Sequence, residues 1–196
     1  TTNDGSTASL PLTGIGIGAD MHLASSQLSF TDTPLNAETT SRLQVENYGS
    51  AALDLTDVRL TGAGADQFSV ANTPQSIAPD GTGEISVSFT PTESGTQQAT
   101  LVINSNDPDE PTREVTVTGD GLGPEIDIDR DTLNFPPATL SLTVSNQEGS
   151  PTDLRVDETP ITGKHPQDFT ITSGEGPFTL APGESETITV QFNSTG

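Results

Sequence analysis

The chain repeats itself. Leu28-Ser29-Phe30, Leu43-Gln44-Val45-Glu46-Asn47-Tyr48-Gly49, Phe68-Ser69-Val70, Ile77-Ala78-Pro79 and Ile85-Ser86-Val87-Ser88-Phe89 follow one another in the first half. Leu133-Asn134-Phe135, Leu142-Thr143-Val144-Ser145-Asn146, Phe169-Thr170-Ile171, Leu180-Ala181-Pro182-Gly183 and Ile188-Thr189-Val190-Gln191-Phe192 come in the same order in the second. A self-match over roughly 100 residues is the length of one β-sandwich, so the chain reads as a tandem array of β-modules.

Local patterns agree. Leu43-Gln44-Val45-Glu46, Ile85-Ser86-Val87-Ser88-Phe89 and Val115-Thr116-Val117-Thr118 alternate apolar and polar residues, the signature of antiparallel strands with one buried face. Fifteen prolines and 19 glycines punctuate the chain, and no long 3.6-residue stripe marks a helix. Asn47-Tyr48-Gly49 and Asn146-Gln147-Glu148-Gly149 read as turns, as do Ala78-Pro79-Asp80-Gly81 and Ala181-Pro182-Gly183. The expected fold is all-β: tandem immunoglobulin-like β-sandwich modules arranged as an extended rod. Phe30, Phe68 and Phe89 anchor one core, with Phe135, Phe169 and Phe192 repeating them in the other.

The repeat also sets the boundaries. Val115-Thr116-Val117-Thr118-Gly119-Asp120-Gly121 closes the central copy, and Leu10-Pro11-Leu12-Thr13-Gly14-Ile15-Gly16 carries the same ending. The last copy stops at Phe192-Asn193-Ser194-Thr195-Gly196, which matches Phe89 through Gly95. The expected organisation is therefore a terminal strand at residues 1–18, a complete module at 19–123 and a module lacking its closing strands at 124–196. One reading is a piece of a longer array. The other is donor-strand complementation, in which Leu10, Leu12, Ile15 and Ile17 of one chain fill a gap beside Ile188, Val190 and Phe192 of the next.

Composition narrows the function. Net charge is −22, from 28 Asp and Glu against 6 Lys and Arg. Nucleic acid and anionic lipid are poor partners for such a surface, because binding either needs basic groups to displace counterions. The acidity suits a surface hydrated in high salt, so a halophilic or marine source and an ordinary acidic secreted protein are both expected origins. Aromatics at 4% and hydrophobics at 30% are low, which leaves small β-branched and leucine side chains to fill each core. The chain has no cysteine, hence no disulfide and no thiolate site. No apolar run approaches the about 20 residues that span a bilayer.

The run Phe89-Thr90-Pro91-Thr92 to Gly95, then Leu101-Val102-Ile103-Asn104-Ser105-Asn106-Asp107-Pro108, then Val117-Thr118-Gly119-Asp120-Gly121 resembles the ASPM-SPD-2-Hydin (ASH) immunoglobulin-like domain. The same pattern is similar to the choice-of-anchor D repeats of prokaryotic surface proteins. The resemblance implies a β-sandwich, usually in tandem, that serves as a surface, adhesin or filament scaffold and carries no catalytic residues.

Chemistry-bearing constellations are sparse. His22 and His165 fall in different modules and share no ligand spacing. Gly14-Ile15-Gly16-Ile17-Gly18 has the glycines of a phosphate loop but no following helix, and reads as a linker. Acidic clusters offer a weak calcium expectation, through Asp107, Asp109 and Glu110 in one loop and Asp127 and Asp129 on one strand, with a solvated acidic face as the simpler reading. Asn193-Ser194-Thr195 is a glycosylation sequon, weak support for a surface location. The functional expectation is a non-enzymatic structural protein of a cell-surface or extracellular assembly, self-associating and cofactor-free. The alternatives are an adhesin whose Thr61-to-Gln67 loop contacts a ligand, and a spacer within a larger secreted protein.

Overall fold

The structure is a computed structural model and describes residues 18–135 and 138–193. It is all-β. In chain order the first strands are β1 (Met21–Leu23), β2 (Gln27–Ser29), β3 (Thr33–Pro34), β4 (Thr39–Asn47), β5 (Leu53–Thr61), β6 (Phe68–Asn72), β7 (Ser76–Ile77), β8 (Thr82–Phe89), β9 (Gly95–Ser105) and β10 (Thr112–Leu122). They form one sheet in the order β1-β4-β8-β6 and a second in the order β2-β10-β9-β5-β7, with β3 also on β10. Single turns of 3-10 helix precede β6 and its counterpart in the second repeat, at Ala65–Gln67 and Pro166–Asp168.

Alternation does here what it should. Leu43 and Val45 of β4, Ile85, Val87 and Phe89 of β8, Leu101 and Ile103 of β9, and Val115 and Val117 of β10 all lie in one buried cluster. The phenylalanine anchors meet as expected. Phe89 sits 5.5 Å from Phe30 and 4.7 Å from Phe68 between ring centroids, close enough for favourable aromatic packing. The backbone of β10 runs directly against this trio at Gly119, where a Cβ would fall 2.6 Å from the Phe89 ring. Only glycine fits there.

Two local readings change. Asn47 is not a surface turn former but is fully buried. Its Nδ2 donates to the carbonyls of Ala51 (2.8 Å) and Ile77 (3.0 Å), and its Oδ1 accepts from the Gly49 N–H (3.0 Å). It therefore joins β4 of one sheet to β7 of the other. Asn146 makes the same pair of donations, to Thr152 (2.9 Å) and Leu180 (3.0 Å). In the proline turns, the positive φ that the turn requires falls on Asp80 (φ 57°) and Gly183 (φ 83°), so aspartate takes in the first repeat the place glycine takes in the second.

One pairing departs from the antiparallel expectation: β2 and β3 run parallel to β10. The chain crosses from one sheet to the other between β1 and β2. At the crossing the Ser25 hydroxyl accepts from the Gln27 N–H and donates to its carbonyl.

The remaining strands are β11 (Ile126–Ile128), β12 (Thr139–Asn146), β13 (Leu154–Val156), β14 (Phe169–Ser173), β15 (Phe178–Leu180) and β16 (Ser185–Phe192). They form a sheet in the order β11-β12-β16-β14 and a two-stranded sheet, β13-β15. A second cluster, Val144, Leu154, Leu180 and Ile188, lies among them.

Removing the buried amide of Asn47 orphans the Gly49 N–H and two carbonyls. Asn47→Ala is expected to destabilise the first sandwich by about 3 kcal/mol, read as a lowered urea midpoint with an unchanged slope.

Candidate functional site

The second sandwich repeats the first with one side left bare. Strand β12 pairs with β16 in the register that β4 makes with β8: Leu142 faces Ile188 as Leu43 faces Ile85. Strand β13 pairs with β15 as β5 does with β7, Leu154 opposite Leu180 and Leu53 opposite Ile77. Among the described residues, no strand takes the places that β9 and β10 hold in the first sandwich.

Burial records the difference position by position. Met21 and Leu23 on β1 are 1% and 7% exposed, whereas their counterparts Ile126 and Ile128 on β11 are 53% and 45% exposed. Phe135, Phe169 and Phe192 still form a trio, with centroids 5.5 Å, 5.7 Å and 5.2 Å apart, but each is only partly buried. Strand β5 runs nine residues because β9 holds its second half, while β13 stops after three. Among the described residues the result is a partly exposed apolar sheet face with a short strand, β13, next to it.

The expected acceptor edge is corrected by the sheet order. Strand β16, which carries Ile188, Val190 and Phe192, is hydrogen-bonded on one side to β12 and on the other to β14. It has no free edge. Among the described residues the end strands of the second repeat's sheets are β11, β14, β13 and β15. The expected donor residues Leu10, Leu12, Ile15 and Ile17 lie outside the described residues.

The calcium expectation meets a different arrangement. Asp107 is buried, and its carboxylate accepts from the N–H groups of Met21 (2.7 Å), Asp109 (2.9 Å) and Glu110 (3.1 Å). Burial works against its charge, yet these donors and the Arg113 guanidinium outweigh it and hold the carboxyl below its ordinary value. Asp107 is thus a clamp that ties β1 to the loop before β10. Asp129 accepts from the Thr143 N–H (2.8 Å) and from Arg130, and its carboxyl is lowered by those two in that order. Among the described residues, no three or more His, Cys, Asp or Glu side chains gather as a metal-holding group.

The other candidates are dispersed. His22 lies within β1 and stacks on Tyr48, centroids 4.9 Å apart, while the Tyr48 hydroxyl donates to Glu46 and is thereby raised above its usual pKa. Asn193 donates through Nδ2 to Thr170 Oγ1 (3.0 Å), and the rest of its sequon lies outside the described residues. Gly62, Ala63 and Gly64 of the proposed ligand loop border a shallow cavity with Glu93 and Thr96 to Thr100, and none of its lining residues is aromatic.

Residues 20–112 match the family model of the abnormal spindle-like microcephaly-associated, ASPM-SPD-2-Hydin (ASH) domain. The match falls on the first sandwich. Solved structures similar to this chain include a protein of unknown function from Porphyromonas gingivalis W83, 20% identical over 61% of this chain and 51% of that one, with a TM-score of 0.46. This chain therefore spans about half of that protein (51%). PapD-like domain 7 of human CEP192, itself an ASH/PapD-like domain, is 16% identical over 60% of this chain and 95% of its own, with a TM-score of 0.44. The E. coli chaperone DraB is 11% identical over 87% and 84%, with a TM-score of 0.40. No curated protein matches the sequence.

Two outcomes follow from this geometry. Met21→Ala in the first sandwich is expected to cost about 3 kcal/mol of stability. Its counterpart Ile126→Ala is expected to change stability by about 0.5 kcal/mol or less, both read by urea unfolding of the intact chain. For Asp107, the lowered carboxyl contributes stability that is complete above the unfolded value near 3.8 and is lost as pH falls through the folded value. An acid titration of unfolding free energy should therefore drop below pH 3.8 in the native chain and drop less steeply in Asp107→Asn, where the lowered Asp129 carboxyl still contributes.

Proposed function

We propose that this chain is a non-enzymatic structural element of a cell-surface or extracellular assembly. Its sandwiches stack in tandem as a rod, and copies associate through the bare face of the second sandwich. The observation that carries the reading is the contrast between Met21 at 1% exposure and Ile126 at 53%, two equivalent positions in one repeat. Among the described residues, equivalent sheet positions are covered in one repeat and exposed in the other.

The surface favours hydrated, salty surroundings over nucleic acid or lipid. All five arginines pair with carboxylates: Arg42 with Glu84, Arg59 with Asp57, Arg113 with Glu110, Arg130 with Asp129 and Arg155 with Asp157. That leaves Lys164 as the one basic side chain outside an ion pair among the described residues, in a chain of net charge −22. Phosphate backbones meet no basic stripe on such a surface. Among the described residues no helix is long and apolar enough to cross a membrane.

Association of copies that each carry −22 must overcome repulsion, which salt screens within about 10 Å at 0.1 M and about 3 Å at 1 M. Light scattering and small-angle X-ray scattering of the intact chain should show an elongated particle whose mass rises with protein concentration, more steeply in 1 M salt than in 0.1 M. A compact particle of constant mass at both salt levels would refute the rod. An elongated particle of constant mass would favour a stalk or spacer.

A further inference from the structure

We infer that the outer face of β1 and β4 in the first sandwich binds arginine side chains of a basic segment on another protein. The binding groups are the ring pair of His22 and Tyr48, backed by the Glu46 carboxylate. The inference is independent of the self-association proposed above.

Local sequence sets this face. Burial alternates along the end of β4: Gln44 and Tyr48 are exposed and Glu46 is half-buried, while Val45 and Asn47 between them are buried. Gln44, Glu46 and Tyr48 therefore project to one side. Strand β1 brings His22 directly opposite Glu46. The chain has one tyrosine, two histidines and no tryptophan, and its tyrosine meets one of the histidines here, at the surface.

Tyr48 is 61% exposed yet fixed at three points. Its N–H donates to the Asp20 carbonyl (2.9 Å) and its hydroxyl donates to Glu46 Oε2 (2.5 Å). Its ring lies on His22, with centroids 4.9 Å and planes 15° apart. An exposed side chain that is already ordered loses little further freedom on binding. The fold does not demand the arrangement. In the second repeat Asp127 faces Ser145 in the register of His22 and Glu46, and Gln147 follows the buried Asn146 where Tyr48 follows Asn47. The asparagine clamp recurs, whereas the ring pair and its carboxylate do not.

Hydrogen-bonding capacity selects the ligand. Gln44 Nε2 donates to Glu46 Oε1 (3.2 Å), and the Tyr48 hydroxyl uses its one proton on Oε2, so the capacity left over is mostly acceptor. The tyrosine ring adds a negative π-face. A guanidinium is planar, carries only donors and stacks on aromatic rings, so it matches both features; an ammonium lacks the plane. The net charge of −22 draws basic segments toward the chain, and Arg42, two positions before Gln44 on β4, is engaged by Glu84 (3.8 Å). A second copy is not the donor, because all five arginines pair with carboxylates of their own chain.

The test titrates the intact chain with the end-capped peptide Gly-Arg-Gly-Arg-Gly and with its lysine analogue of equal charge, followed by amide NMR shifts. Tyr48 is the sole tyrosine in a chain without tryptophan, so its fluorescence gives a second readout of occupancy. The arginine peptide should shift His22, Gln44 and Tyr48, leave Asp127 and Gln147 in place, and bind about ten-fold more tightly than the lysine peptide. Tyr48→Ser should bring arginine binding down to the lysine level. Equal binding of both peptides, spread over both repeats and unchanged in Tyr48→Ser, would overturn the inference in favour of diffuse charge attraction. Shifts at these residues with cellotetraose and none with the arginine peptide would overturn it in favour of a sugar platform. An absence of shifts with either peptide would refute it outright.

Discussion

Everything in the first sandwich is arranged around a ring with no room above it. Phe89 is wedged between Phe30 and Phe68, and the chain passes over it at Gly119, where even a methyl group would collide. This contact sets the spacing of the two sheets at that end, and it puts Val115 and Val117 over the cores of β4 and β8. The other end is held by polar groups. Asn47 ties β4 to the strand below it, and Asp107 gathers the first N–H of β1 into the loop before β10. A core poor in aromatic residues thus relies on a few buried polar clamps for its alignment, each making several hydrogen bonds that offset the cost of its burial.

The described part of the second sandwich keeps the same lateral plan. Its phenylalanine trio survives, as does its asparagine clamp, but the Oδ1 of Asn146 is buried without a partner. In the first sandwich the same atom of Asn47 accepts from the Gly49 N–H. Two additional residues in the second turn, between Asn146 and Leu154, move the matching N–H away, and the Glu125 N–H is taken up by Ser150. The described residues of the second repeat therefore keep the lateral ties of the fold and differ in their polar closure at this turn.

Much of this was legible in the residues. Period-two alternation located the strands of β4, β8 and β10, and the repeated phenylalanines identified both cores, because side-chain burial in a strand is written directly in the sequence. Strand order is not. Ile188, Val190 and Phe192 read as an edge, yet β16 lies inside its sheet, since which neighbour a strand chooses depends on contacts far along the chain. Asn47-Tyr48-Gly49 has the composition of a surface turn, and nothing local says that the asparagine turns inward. Asp107 misled in a similar way: an aspartate among aspartates suggests a cation site, but three backbone N–H groups claim its oxygens first.

The parallel alignment of β2 with β10 has a mechanical consequence. These are an early and the last strand of the sandwich, matched over Gln27 to Ser29 against Thr116 to Thr118, with β3 extending the match at Gly121 and Leu122. Tension applied to the two ends of the domain pulls such strands past each other along their length. Their hydrogen bonds then bear the force together in shear, where antiparallel neighbours pulled from the same end would unzip bond by bond. A domain joined in this way is expected to yield abruptly and late when its ends are pulled apart.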